Sequence, residues 1–114
     1  LGNLEARRDW GYAPEYIQAM WLMLQQQKPD DYVVGTGQTY SIKYFAENAF
    51  DILGLNLQKY LKINKKLFRP SEVDLLKADS SKIRSRMGWK AKTTINKLIE
   101  KMVLNDFNLI KKNN

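Results

Sequence analysis

Ile42, Phe45, Ala46, Ala49, Phe50 and Leu53 recur at steps of three and four, with Gly54 directly behind them. That spacing puts all six on one face of a helix. Ser41 offers a hydroxyl as N-cap, and Gly54 offers a stop. The stretch constrains the fold through its flanks. Tyr32-Val33-Val34-Gly35 precedes it and Leu57 to Ile63 follows it, both β-prone runs, with Thr36-Gly37-Gln38-Thr39-Tyr40 as a tight link. Strand, helix and strand on short links predict a βαβ unit with a right-handed crossover. The expected class is α/β: a helix-rich small domain with short parallel strands near 32–35 and 57–63.

Three more helices bracket this unit. Pro14 suits a first helical turn and Glu15 the positive end of its dipole. Ala13, Ile17, Met20, Trp21 and Leu24 then recur at helical spacing, predicting a helix over about 14–27 with Trp21 in the core. Pro70-Ser71-Glu72 leads from a turn into an expected short helical segment. Asp79 or Ser80 can cap a helix to about Met87, closed by Gly88. Thr93 can cap the last helix, whose buried face is expected to be Ile95, Leu98, Ile99, Met102, Val103, Phe107 and Ile110. At 114 residues the chain is one small domain, and its three Trp, six Tyr and four Phe are enough to build a core.

The chain has no Cys and no His. Disulfides, thiolate nucleophiles and Ser-His triads are therefore excluded within it, as are thiolate- or imidazole-bound metals. No apolar run approaches the roughly 20 residues that span a bilayer. No charged-then-apolar leader opens it, so a cytoplasmic setting is the expectation. It opens on Leu1-Gly2-Asn3 without Met and reads as part of something longer. Charge is uneven. Residues 1–57 carry four basic and seven acidic side chains, a net of −3, and residues 58–114 carry fifteen and five, a net of +10. A basic half invites an anionic partner; solvation of scattered lysines is the plainer reading. No basic stripe is interleaved with aromatics, so a nucleic-acid partner is not expected.

Two motifs suggest chemistry. Gly35-Thr36-Gly37 resembles a phosphate-cradling loop but lacks the third glycine of a dinucleotide fingerprint and the lysine of a P-loop; a tight turn explains it as well. Arg8 and Arg69 sit in turns beside Trp10 and Phe68, and a guanidinium fork suits phosphate oxygens. Glu72 follows Arg69 by three. An Arg-x-x-Glu pair can meet phosphate with the cation and accept from ribose hydroxyls with the carboxylate. A surface ion pair worth under about 1 kcal/mol is the alternative.

Longer blocks carry a resemblance. Leu1 to Ala13, including Arg7-Arg8-Asp9-Trp10-Gly11, is followed by Tyr16, Ala19-Met20-Trp21 and Met23-Leu24. Then come Thr36-Gly37, Tyr40-Ser41, Phe68-Arg69-Pro70-Ser71-Glu72-Val73-Asp74, Asp79, Ser81-Lys82 and Gly88-Trp89-Lys90. In this order the blocks resemble GDP-mannose 4,6-dehydratase, an extended short-chain dehydrogenase/reductase, from residue 1 to about Leu109. The resemblance implies a cytoplasmic, oligomeric, NADP-dependent enzyme that converts GDP-mannose to GDP-4-keto-6-deoxymannose, toward GDP-fucose and related deoxysugars. Its family chemistry removes a hydride from sugar C4, eliminates water across C5–C6 and returns the hydride to C6, using a Tyr-Lys pair, a Thr or Ser, and a Glu.

The chain lacks the glycine-rich Rossmann fingerprint, and no Tyr-x-x-x-Lys is present: Tyr44 and Asn64 stand four residues after Tyr40 and Tyr60. The resemblance therefore covers only the C-terminal, substrate-binding part. Residues 1–114 would form a GDP-sugar-binding domain, inactive alone and without bound cofactor, whose missing partner is the NADP-binding Rossmann domain. It implies that Arg8 and Arg69 contact the diphosphate from two sides, Glu72 accepts from the ribose, and Asn3 edges the sugar pocket. An insert that some relatives carry between Leu57 and Phe68 is absent. A stand-alone nucleotide-sugar module or a basic nucleic-acid binder is the alternative. A piece parted from such a neighbour is expected to expose an apolar patch or self-associate.

Overall fold

A computed structural model describes residues 1–113. The elements in chain order are β1 (Arg7–Arg8), α1 (Ala13–Leu24), β2 (Tyr40–Ser41), α2 (Ile42–Ile52), α3 (Leu57–Tyr60), a 3-10 turn (Lys65–Leu67), α4 (Ser81–Met87) and α5 (Ile95–Asn113). The helix-rich reading holds. Ser41 caps α2, its hydroxyl accepting from the Tyr44 N–H, and Gly54 follows the helix at φ +69°. Gly88 closes α4 in the left-handed region, where its lack of a Cβ removes the steric cost. α5 starts one residue later than the sequence suggested: Thr94, not Thr93, caps it, with Oγ1 accepting from the Lys97 N–H at 3.3 Å.

The parallel βαβ unit is not there. Residues 32–35 pair with no strand among the described residues. Residues 57–60 form a turn of helix, because the Asn56 side chain captures the Gln58 N–H at 3.0 Å and starts a helical cap where apolar alternation suggested a strand. The sheet is instead a two-residue antiparallel ribbon, with Arg7 opposite Ser41 and Arg8 opposite Tyr40. Four residues are too few to show a period of two. The expected helical segment after Pro70 is extended, for it lies along β1: the Arg7 N–H donates to Asp74 C=O at 2.7 Å and Arg7 C=O accepts from the Leu76 N–H at 3.1 Å.

Apolar packing divides into two clusters. Ala19, Ile83 and Trp89 are buried together, with Tyr16, Met23, Tyr32 and Val34 against them. Ile95, Leu98 and Ile99 form the second, covered by Trp10, Tyr40, Tyr44 and Phe45. Trp21 is not in the core. α1 is apolar on two sides, and the side that packs on Trp89 is Tyr16, Ala19 and Met23; Ile17, Met20, Trp21 and Leu24 face outward, Trp21 at 59% exposure. On α5 the inner half is buried as expected, whereas Met102, Phe107 and Ile110 are exposed.

The shape is open. The Cα radius of gyration is 17.1 Å, where a compact domain of this length has about 13 Å. The accessible surface is 8806 Å², against about 6,500 Å² for a monomeric protein of this mass.

Candidate functional site

The candidate residues lie on two stretches laid side by side. The Leu1 ammonium donates to Lys62 C=O at 2.9 Å, and Leu1 C=O accepts from the Asn64 N–H at 2.8 Å. Six residues on, Arg7 is tied to Asp74 and Leu76. Residues 1–8 are therefore fixed at both ends along residues 62–76. Asn3 lies between the ties on one stretch and Arg69 on the other.

Arg8 and Glu72, 64 residues apart in sequence, meet here. Arg8 Nη2 donates to Glu72 Oε1 at 3.0 Å, with the side chains 22% and 18% exposed. Arg8 Nη1 donates to the Arg7 carbonyl at 2.7 Å, which orients the fork. Arg7 points elsewhere, its guanidinium bonded to Thr39 Oγ1 and to the Thr39 carbonyl. The expected Arg69–Glu72 pair does not form. Without a helical turn after Ser71, position i+3 does not fold back on i, and Glu72 is taken by Arg8. Arg69 is exposed and makes no ion pair among the described residues. Asn3 uses its Oδ1 on the Glu5 N–H at 3.0 Å.

The Gly35-Thr36-Gly37 loop is not a phosphate cradle. Its Thr36 and Gly37 N–H groups donate to the Asp9 carboxylate, as does the Ala78 N–H. The donors a phosphate would need already face an anion of the chain itself. Gly35 is required by packing: a Cβ there would stand 2.2 Å from Ala78 Cβ. Gly11 has a similar role, since a Cβ would strike the Tyr16 ring. In the Arg-Asp-Trp-Gly run, then, Arg8 reaches Glu72, Asp9 joins three segments, Trp10 packs on Phe45 with ring centres 4.9 Å apart, and Gly11 admits Tyr16. Asp9 escaped the sequence reading as a functional residue. Its adjacency to Arg8 in the motif was the available signal, but its partners lie 27 to 69 positions away.

Glu15 is a second junction. Its carboxylate accepts from the Lys92 and Thr93 N–H groups at 2.6 and 3.0 Å, and its carbonyl accepts from Trp89 Nε1. Burial pushes its carboxyl upward, but the hydrogen bonds from Thr93 and Lys92 and the Lys92 charge outweigh that and hold it below the ordinary value. Tyr16 is raised by burial, then by the charges of Asp9 and Glu15. A cavity of about 250 Å³ lies beside this junction, lined by Trp10, Thr36, Arg84, Trp89 and Lys92 among others. None of Asn3, Arg8, Arg69 and Glu72 lines it. Among the described residues no acidic cluster could hold a metal ion, and the Gly35-Thr36-Gly37 loop does not offer its N–H donors to a dinucleotide, because they are closed on Asp9.

Solved structures share this fold. A UDP-glucose 4-epimerase from Thermotoga maritima, determined with UDP-glucose, superposes with a TM-score of 0.84 at 19% identity, over 96% of this chain and 34% of that one. RMD from Pseudomonas aeruginosa, complexed with NADPH, gives 0.77 at 22% identity, over 93% and 34%. The fold is that of part of an extended short-chain dehydrogenase/reductase enzyme. The family model for GDP-mannose 4,6 dehydratase matches residues 1–102. GDP-mannose 4,6 dehydratase 1 of Arabidopsis thaliana is 50% identical over 112 residues, 98% of this chain and 31% of the relative. The Homo sapiens GDP-mannose 4,6 dehydratase is 35% identical over 130 residues, 99% and 35%. The chain belongs to the GDP-mannose 4,6-dehydratase family and spans about a third of the length of these curated relatives.

Proposed function

We propose that this chain is the GDP-mannose-binding part of a GDP-mannose 4,6-dehydratase, a cytoplasmic enzyme whose remaining two-thirds holds NADP and performs the hydride chemistry. The observation that carries the reading is the Arg8–Glu72 pair, brought together across 64 positions on a half-buried surface of a chain in this family. Arg8 supplies a fixed guanidinium to the diphosphate. Glu72 Oε1 is held by Arg8, which leaves Oε2 to accept from the ribose hydroxyls. Arg69, three residues upstream and exposed, supplies the second cation, and Asn3 edges the sugar.

The NADP-binding part belongs against α1. The outward face of α1 is apolar, and the extended run 32–35, which packs under the same helix, has no strand neighbour among the described residues. A helix with a bare apolar side next to an unpaired strand is what the edge of a neighbouring α/β sheet covers. The excess of about 2,300 Å² of surface has the same source. By itself the chain turns nothing over, since the hydride carrier belongs to the remaining two-thirds.

The test joins this chain to the N-terminal two-thirds of the Arabidopsis relative and measures dehydration of GDP-mannose. The fused enzyme is expected to turn over. Arg69→Ala and Glu72→Ala are each expected to raise KM by about tenfold or more with little change in kcat, the signature of lost binding equal in ground and transition states. A fused enzyme whose KM ignores both substitutions rejects the assignment.

A further inference from the structure

Arg8 stands between two residues that both reach one loop. Arg7 donates from Nε to Thr39 Oγ1 at 3.2 Å and from Nη2 to the Thr39 carbonyl at 2.8 Å. Asp9 accepts from the Thr36 and Gly37 N–H groups at 3.0 and 2.8 Å, and from the Thr36 hydroxyl. Arg8 points the other way, to Glu72. This is the alternation of an extended chain, in which i and i+2 share a face and i+1 takes the opposite one. The turn at Gly35-Thr36-Gly37, closed to an outside anion, is thus bound to the chain on either side of the Arg8 fork. Gly35 permits the close approach, since a Cβ there would crowd Ala78 and lie 3.3 Å from Asp9 Oδ2.

We infer that residues 36–39 position Arg8 for its ligand without touching that ligand, an inference that rests on the diphosphate role proposed for Arg8. β1 is a two-residue strand, and residues 9–12 lie in no helix or strand. So short a two-stranded ribbon is marginal by itself, and side-chain ties fix where the Arg8 backbone lies. The Arg7 carbonyl makes the dependence direct. It accepts from the Leu76 N–H at 3.1 Å and from Arg8 Nη1 at 2.7 Å. One oxygen therefore sets the spacing of the stretches that carry Arg8 and Glu72, and also aims the fork. A shift of β1 against the loop turns that oxygen and the guanidinium with it. Two-point contact with a phosphate depends on the plane of the fork as well as its charge, so rotation lowers affinity while the charge stays. Thr36 joins the anchor to the loop's own shape: its hydroxyl donates to Asp9 and accepts from the Gln38 N–H at 3.1 Å. Arg7, Asp9 and Thr36 are positioning residues that act through Arg8.

The enzyme made by joining this chain to the N-terminal two-thirds of the Arabidopsis relative tests the positioning, with KM and kcat for GDP-mannose read separately. Thr36→Val removes the hydroxyl but keeps the shape, and should raise KM about fivefold with kcat unchanged, the worth of one hydrogen bond. Thr36→Ser keeps the hydroxyl and should restore KM. Arg7→Gln changes an exposed side chain, leaves the Asp9 ties in place, and should raise KM in the same way. In an Arg8→Ala background neither Thr36→Val nor Arg7→Gln should raise KM further, because the group they position is gone. Unfolding temperatures are measured on each variant. A lowered temperature with KM unchanged would make the loop a packing element and overturn the inference, as would KM increases that add to that of Arg8→Ala. If Arg8→Ala itself leaves KM unchanged, the diphosphate reading falls and the inference with it. If Arg8→Ala raises KM and Thr36→Val and Arg7→Gln do not, only the inference falls.

Discussion

Arg8 and Glu72 exclude each other's solvent, and that makes their contact measurable. Because both side chains are about one-fifth exposed, a double-mutant cycle of Arg8→Ala and Glu72→Ala should show a coupling of about 1 kcal/mol in urea unfolding, the upper end for such pairs. Additive losses would mean the contact is incidental. Asp9 matters more to folding. Its carboxylate accepts from Thr36, Gly37 and Ala78, so Asp9→Ala leaves several backbone donors unmet at once. A loss of about 2–3 kcal/mol in the same measurement is expected. Gly35→Ala should be comparably damaging, for the new methyl has Ala78 Cβ in its place. Arg8, Arg69 and Glu72 could be picked out by chemistry alone, since guanidinium forks and a carboxylate near them are recognisable in a string of letters. Which carboxylate each fork meets could not be. Arg69 precedes Glu72 by three, and only the extended path of residues 72–76 along β1 gives Glu72 to Arg8.

Helix ends were legible where one residue decides them. Ser41 at the start of α2 and Gly88 at the end of α4 act through their own side chain or lack of one. Helix faces were legible only where one side is apolar. α2 met that condition. α1 did not, and Trp89 selected Tyr16, Ala19 and Met23 over the larger Ile17, Met20 and Trp21. The strands were misplaced because β propensity is largely a statement about neighbours: residues 32–35 have none here, whereas Arg7–Arg8, with no strand signal, has one on each side. Glu15 ties α1 to the lead-in of α5, and its carboxyl lies below the ordinary value near 4.5. The folded state thus binds that proton less readily than the unfolded chain. The stabilisation is full above the unfolded value and is lost as pH falls through the folded one. Thermal unfolding should show the gap between the chain and Glu15→Gln narrowing as pH drops from 6 toward 3, a range set about the ordinary carboxylate value. A gap constant with pH would contradict the role given to this carboxylate.

The whole molecule is wider than a free domain of its size and leaves large apolar side chains such as Trp21 and Leu24 exposed. Its surface excess and the bare side of α1 predict that supplying the N-terminal two-thirds of a relative as a separate chain will capture it. Trp21 reports the event: at 59% exposure, its fluorescence should shift to shorter wavelength on capture, and Trp21→Lys should weaken capture by about tenfold or more, as loss of a central aromatic anchor does. The α1, α2, α4 and α5 helices, the Ser41 and Gly88 caps and the family were legible in the sequence, because each depends on residue type and near spacing. The partners of the charged groups, the inward side of α1 and the placement of the strands were decided by tertiary structure. Each of those is a choice among several chemically adequate options, and only contacts between distant segments determine which one buries the most surface and leaves the fewest polar groups unmet.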